Sequence, residues 1–422
     1  MFQDFAAYHH APYALWQQAA AGRSVHWRSD FFAGAWVVSD YALCEQVLRD
    51  SQRFSAARTG GWVASVSDAE PASDSAAADG VAPTGHQAFQ RLFARAMLFV
   101  DAPQHQRLRA IMQPYFKPSE LEKLRGYIED AVSARCAAIE ARTSRGEAFD
   151  WIADFARPLP ASVIVHFLGL QGVSVAEQAQ FMRWSRDLAI FIGVPIADRS
   201  HWRAAQRSIL QMASFFSQVF TQGRVASGSL LARLAQALAH AEIDEAELIA
   251  QSAMLLFAGH ETTRHLLGTS VLRLLEHPAQ WQLLQQQPEL AGNAVRELLR
   301  LEPPVQYTGR RARVDCVLAG QQIRRNDLVL ACIAAAHRDA QRYPHAEELD
   351  ITRSSVASLA FGSGAHVCIG AALTQMEAEI TLTHISQRWP QLRLAAQPNT
   401  NGIDWDNSNL AYRGLNSLML RR

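Results

Sequence analysis

Apolar and polar positions along this chain recur mostly at the spacing of an α-helix, and only a few short stretches alternate. Ser24 to Arg28 and Ala35 to Ser39 alternate and predict a strand pair. Ser39 and Asp40 then offer caps for a helix that runs to about Arg49. From Trp62 to Gly85 the chain turns to Ser, Ala, Asp and Gly, which predicts a long loop that orders when a ligand binds. Helical spacing returns from about Pro103 to Leu238, broken at Pro158 to Pro160, Gly169 to Gly172 and Gly193 to Pro195. The longest helical signal starts near Asp244 and continues to about Glu276, beyond the usual helix of a globular protein, so it should cross the whole molecule. Another helix, roughly Glu289 to Leu301, ends against Pro303-Pro304. Arg310 to Ala335 reads as strands with a turn at Ala319-Gly320, and a last long helix follows Cys368 to about Trp389. The predicted fold class is mainly α with a small, split β region, and there are no internal repeats.

Composition narrows the function classes. Apolar residues make up 49%, charged residues 19%, and the formal net charge is zero, which excludes a disordered chain or a nucleic-acid binder. The five cysteines are scattered, with no CxxC or CxxH pair, which argues against a disulfide framework and a structural zinc site and points to a reducing compartment. Met1 to Ala21 carries His9, His10 and Gln17 without a long apolar run, so neither a signal peptide nor a membrane anchor is expected and the location reads as cytoplasmic.

The sharpest chemical signal is the run Phe361-Gly362-Ser363-Gly364-Ala365-His366-Val367-Cys368-Ile369-Gly370. It reads as a glycine-rich turn that presents one sulfur, followed at once by a helix. Backbone N–H groups and the positive end of the helix dipole would hold a thiolate there. Such a thiolate is what a haem iron needs to activate oxygen; the plainer alternative for any lone cysteine is a small buried hydrophobe. The run resembles the haem-binding signature of the cytochrome P450 family, F-G-x-G-x-H-x-C-x-G, at every specified position. The resemblance implies one cytochrome P450 domain over 1–422, its β-rich part at about 20–60 and 305–335, with haem b between the long helix and the helix after the Cys loop. Cys368 is then the axial ligand of the iron.

Ala258-Gly259-His260-Glu261-Thr262-Thr263, midway along the long helix, resembles the family's A-G-x-[D/E]-T motif. Gly within a helix costs about 1 kcal/mol relative to Ala, and small residues let a ligand approach. Thr262 can bond back to the Ala258 carbonyl and bend the helix; by resemblance Glu261 and Thr262 relay protons. A small-residue helix crossing is the competing explanation of Ala258 and Gly259. Glu297 and Arg300, at i, i+3, share a helix face and resemble the family's structural E-x-x-R pair, with Arg353 as the third member of the cluster. His337 stands where the family commonly has Asn.

The propionates of a haem need cations or strong donors. By resemblance these are His105 and Arg109, Arg310, with Arg311 as a confusable neighbour, and His366; Phe361 and Gly362 support the sulfur. The resemblance also implies a substrate pocket lined by Met254, Phe257, Ala258, the Val305 to Thr308 stretch including Gln306, the Trp62 to Phe99 loop and the tail near Asn409. That lining suggests a mainly apolar substrate. Arg183, Arg186, His201 and Arg203 are candidates for recognising a carboxylate or a carrier protein, or form a solvated face. The implied activity is a monooxygenase that takes dioxygen and electrons from a ferredoxin and its reductase, docked on the Cys368 face. Bacterial secondary metabolism is the implied setting. Peroxide-driven oxidation, desaturation or ring coupling, and a non-enzymatic haem sensor are the alternatives.

Overall fold

The computed structural model describes residues 8, 12–20, 22–32, 34–57, 92–144, 146–193, 199–354, 357–395, 403–408 and 410–422. The loop expected from Trp62 to Gly85 and the tail residue Asn409 lie outside the described residues. A first helix, α1 (Pro12–Ala20), precedes β1 (Val25–Arg28), β2 (Ala35–Val38), α2 (Tyr41–Arg49) and β3 (Phe54–Ser55). The helical part follows with α3 (Gln104–Met112), α4 (Pro118–Glu122), α5 (Arg125–Arg142), the short strand β4 (Ala148–Asp150), α6 (Pro158–Leu168), α7 (Val175–Gly193), α8 (Arg199–Thr221), α9 (Leu230–Ala239) and α10 (Glu245–Glu276). Next come α11 (Pro278–Gln286), α12 (Ala291–Leu301), β5 (Thr308–Ala312), β6 (Cys316–Leu318), β7 (Gln321–Ile323), β8 (Leu328–Ala331) and α13 (Ile333–Ala336). The chain closes with α14 (Ala371–Arg388), β9 (Arg393–Leu394), β10 (Ile403–Trp405) and β11 (Leu415–Arg421).

Local chemistry sets the two ends that matter most. Asp40 caps α2 by accepting from the Leu43 N–H at 2.9 Å. Asp244 and Glu247 form a reciprocal capping box at the start of α10, at 2.7 and 3.1 Å. Residues from Leu248 to Leu274 are buried on nearly every face of α10, so it runs through the interior rather than over it.

The β region joins distant stretches. Its main sheet has the order β1-β2-β8-β5-β3, with β2 and β8 parallel and the other neighbours antiparallel. A second sheet of β10, β11 and β4, with β9 also on β11, ties the C-terminal segment to the start of the helical part. Alternation does not reveal this sheet because β4, β9 and β10 have only two or three residues each. Two expectations shift. The segment expected as helix from Glu289 starts as a 3₁₀ turn, Pro288–Leu290, and becomes α-helix at Ala291. Strand geometry ends at Ala331, and the buried run Ile333–Ala336 is helical, since a short apolar run carries no period to tell the two apart.

Two buried ion clusters brace the frame beside the site. Glu297 takes both its oxygens to Arg300 at 2.7 and 2.8 Å and meets Arg353 at 3.2 Å. Arg300 then donates to the carbonyls of His337, Ala346 and Glu348, so one α12 side chain organises the segment that leads to the Cys loop. In the second cluster, Glu302 binds Arg273 of α10 at 2.6 Å, Arg413, and the hydroxyl of Tyr13 at 2.6 Å.

Candidate functional site

Cys368 is placed by a loop whose conformation depends on two glycines. Gly362 and Gly364 adopt φ of 73° and 75°, the left-handed region that side chains rarely enter. A Cβ at Gly364 would also lie 2.8 Å from the Arg49 Cα, so the loop packs directly onto α2. The Cys368 N–H donates to the Phe361 carbonyl at 2.8 Å, closing the turn. The Cys368 side chain is exposed to a cavity of about 280 Å³. Burial of the sulfur pushes the thiol up, while the N–H of Gly370, the charge of Arg109 and the N–H of Ala371 pull the other way. A thiol opposed by such donors is suited to a metal bond, which stabilises the thiolate form.

The far wall is α10. Met254, Phe257, Ala258, Gly259, Glu261 and Thr262 all line the cavity, as does Val305. Gly259 has a second reason to be small. A Cβ there would sit 2.4 Å from Ile164 Cδ1, so α6 crosses α10 at that point. Ala258 clears space in the cavity and Gly259 admits a neighbouring helix, which separates two roles that the sequence left merged. Thr262 Oγ1 reaches the Ala258 carbonyl at 3.4 Å, a long bond. Gln306 is absent from the lining. It is fully buried, takes the Tyr8 hydroxyl at 3.3 Å and donates to the Pro303 carbonyl at 2.6 Å, so it is a packing residue rather than a substrate contact. Arg183, Arg186, His201 and Arg203 also lie outside the lining.

Glu261 is a buried carboxylate whose charge state is set by its neighbours. Burial alone would raise its carboxyl, but Arg264 first, then His265 and His260, hold it well below the usual range. Arg264 Nη2 lies 2.6 Å from Glu261 Oε1 and 3.5 Å from Asp406 Oδ2, all three groups being buried. The spacing Glu261-x-x-Arg264 repeats that of Glu297-x-x-Arg300, so the sequence carried a signal for the first pair. Asp406, 142 positions after Arg264, had none.

The cation side of the cavity tests whether a haem suits these residues. Arg310 is buried and lines the cavity; it donates to its own neighbour's carbonyl at Gly309, and burial lowers it to about 10, with the charge of Asp101 acting the other way. Among the described residues no acid is in contact with this guanidinium, and a buried cation in that position calls for an anion. His105 lines the same cavity, with a buried Nε2 that has no hydrogen-bond partner among the described residues, and its ring lies 4.0 Å from that of His366. Arg109 also borders the cavity, but its Nη1 donates to the carbonyls of Val367 at 2.8 Å and Ala365 at 3.3 Å. It therefore clamps the Cys loop as well as facing the cavity. Anion-seeking side chains, a thiol and a largely apolar wall around one cavity, with Phe361 and Gly362 also in its lining, fit a haem with two propionates.

Fold and site together define a haem-thiolate protein. The chain belongs to the cytochrome P450 family, whose model matches residues 65–403. It is an oxidoreductase of the monooxygenase type. It is 35% identical to cytochrome P450 CYP107DY1 of Priestia megaterium over 76% of this chain and 75% of that one. It is 31% identical to the polyketide biosynthesis cytochrome P450 PksS of Bacillus subtilis over 76% of each chain. The crystal structure of P450BioI with hexadec-9Z-enoic acid ligated acyl carrier protein superposes with a TM-score of 0.84 at 28% identity, covering 99% of this chain and 100% of that one. No helix among the described residues is long and apolar enough to cross a membrane.

Proposed function

We propose that this protein hydroxylates a mainly apolar small molecule, using dioxygen and electrons delivered by a ferredoxin and its reductase. One observation carries the reading: across a largely apolar chamber Cys368 faces the Ala258 to Thr262 segment, with buried Arg310 at the edge. Cys368 and the cradle of His105, Arg109, Arg310 and His366 would hold haem b. When bound, the haem supplies the redox and oxygen-activating chemistry.

The chain's own residues bind, orient and handle protons. Met254, Phe257, Ala258 and Val305 offer an apolar wall that orients the substrate without fixed polar contacts. Thr262 and Glu261 both line the cavity, so protons would pass between hydroxyl and carboxylate through ordered water. Because Arg264 holds Glu261 ionised, the carboxylate keeps a proton only in passing and would hand it on through ordered water toward Thr262 rather than store it. The electron donor is assigned to the face beneath Cys368, where Val367 is exposed and Arg109 braces the loop.

A substrate presented as a carrier-bound acyl chain is the second reading, favoured by the likeness over the full chain to the acyl-carrier-protein complex. The polyketide-biosynthesis relative supports a setting in bacterial secondary metabolism, and the cytoplasm is the assigned location.

The deciding experiment is the absorption spectrum of the dithionite-reduced protein under carbon monoxide, beside a Cys368→Ala control. A strongly red-shifted Soret band that the substitution abolishes is expected. A band typical of histidine ligation, or no haem, rejects the proposal. Product formed with NADPH, ferredoxin and reductase, against none with peroxide alone, separates the monooxygenase from a peroxygenase or a sensor.

A further inference from the structure

Tyr307 stands between the cavity and two elements that take no part in the cofactor cradle. Its ring lines the cavity and is 3% exposed. Trp16, Phe31 and Phe32 meet that ring edge to face, at centroid distances of 6.1, 5.8 and 6.2 Å. Three such contacts fix the ring's plane. The hydroxyl then donates to the Gly193 carbonyl at 3.0 Å. Gly193 is the last residue of α7, where carbonyls have run out of helical N–H donors, so Tyr307 caps the end of α7 from the cavity wall. Ile192, the residue before it, lines the cavity too.

Helix α7 is fastened along its length to α8: Trp184 Nε1 donates to Gln211 Oε1 at 2.7 Å, and Ser208 Oγ donates to Asp187 Oδ2 at 2.5 Å. Those bonds hold the middle of α7, and Tyr307 pins its C-terminal tip to the segment that leads into β5. We propose that Tyr307 is a specificity-determining residue: by capping Gly193 it fixes Ile192 as a cavity wall and sets how readily apolar ligands enter and leave. The inference rests on the reading of this cavity as the substrate chamber beside a haem.

Tyr307→Phe keeps the ring and deletes the cap. Hydrogen exchange of the purified holoprotein reads the amides of 186–193, and stopped-flow mixing with 4-phenylimidazole reads ligand dissociation through the Soret band. A net hydrogen bond of ordinary strength corresponds to about fivefold in each. We expect exchange at 186–193 and dissociation both to rise by about that factor, with exchange in α12 and α14 unchanged. Ile192→Ala, which alters the wall and leaves the cap, should change 4-phenylimidazole affinity without changing exchange at 186–193. Unchanged exchange in Tyr307→Phe overturns the proposal. Faster exchange with unchanged dissociation also overturns it, and so does faster exchange throughout the chain, which marks a general loss of stability. A Soret band that 4-phenylimidazole leaves unmoved in both proteins counts against the haem reading instead; exchange at the α7 tip then decides the cap by itself.

Discussion

Arg264 is shared between two buried carboxylates: its Nη2 lies 2.6 Å from Glu261 Oε1, one turn back on α10, and 3.5 Å from Asp406 Oδ2. One cation thus links the cavity wall to the segment just beyond β10. The arrangement fixes where the Glu261 charge sits and keeps it ionised, which gives the first prediction.

Glu261→Gln removes the charge and keeps an oxygen for Arg264 to bind. Product formation should fall about 10²-fold, the usual worth of a positioned acid–base group. Hydrogen peroxide released per NADPH consumed should rise. Parallel assay of NADPH, peroxide and product checks this, and unchanged coupling would remove Glu261 from proton handling.

Arg310 is a cation that burial lowers to about 10, with the charge of Asp101 working the other way and no ion pair to an acid among the described residues. Arg310→Met should therefore act with opposite signs in two states. Without haem the protein gains stability, because an unpaired buried charge is gone. With haem, cofactor loss to an excess of apomyoglobin should speed up about tenfold, the equivalent of about 1.4 kcal/mol. Slower or equal transfer contradicts the propionate assignment.

Gly259→Ala gains about 1 kcal/mol of helix propensity but drives a methyl to 2.4 Å from Ile164 Cδ1 and 2.5 Å from Cγ1. Overpacking costs about 1–3 kcal/mol, so the net change should be a loss of stability. In an Ile164→Ala background, where both clashing atoms are gone, Gly259→Ala should cost little. Urea melts of the single and double variants give the coupling directly, and additive effects would show that the crossing with α6 is not what holds this position.

His337 is buried; its ring is held neutral by burial, then by the charges of Arg338 and Arg300, which lower it to about 3. The Leu359 N–H donates to Nε2 at 2.9 Å, so Nδ1 carries the proton that reaches the Arg300 carbonyl at 3.0 Å. In the unfolded chain histidine titrates near its ordinary value of about 6.5. Its contribution is complete above that pH and drains away as pH falls from about 6.5 toward 3, because only the unfolded chain takes up the proton. His337→Asn supplies one donor and one acceptor without a titrating ring. Its stability should match the parent at pH 8 and exceed it at pH 4.5, by denaturant melts at both.

Glu302→Gln leaves Arg413, 1% exposed, facing a neutral group. Breaking a buried pair in this way costs about 3–5 kcal/mol. Although burial works against it, the charges of Arg273 and Arg413 lower the Glu302 carboxyl to about 2, so its contribution is present above the ordinary carboxylate value. That contribution is lost as pH falls toward 2. The stability gap between parent and variant should therefore narrow in acid, and a constant gap from pH 7 to pH 3 would assign the loss to packing alone.

Residues that act through neighbours close in sequence were readable before any coordinates. Asp40 and Asp244 mark helix starts by a side chain reaching three residues ahead, and Glu297 reaches Arg300 by the same spacing. The Cys368 loop was legible because its turn needs glycine at Gly362 and Gly364, a demand written in residue type. The sequence also placed Met254, Phe257, Ala258 and Val305 on one chamber through the family pattern. It misplaced Gln306, whose neighbours on either side line the cavity while its own side chain turns toward Tyr8 and Pro303.

By itself, then, the sequence determined the long helices, the caps at Asp40 and Asp244, the sulfur-bearing loop and the family, because each depends on residue type at short spacing. Only the tertiary structure decided that Arg264 is shared with Asp406, that Gly259 receives Ile164, that Arg310 is buried with no acid in contact among the described residues, and that Tyr307 caps Gly193. Those relations join residues from 95 to 142 positions apart, or depend on which groups are missing nearby. Burial and the low dielectric that comes with it arise only when the elements pack, and they turn ordinary polar side chains into a site.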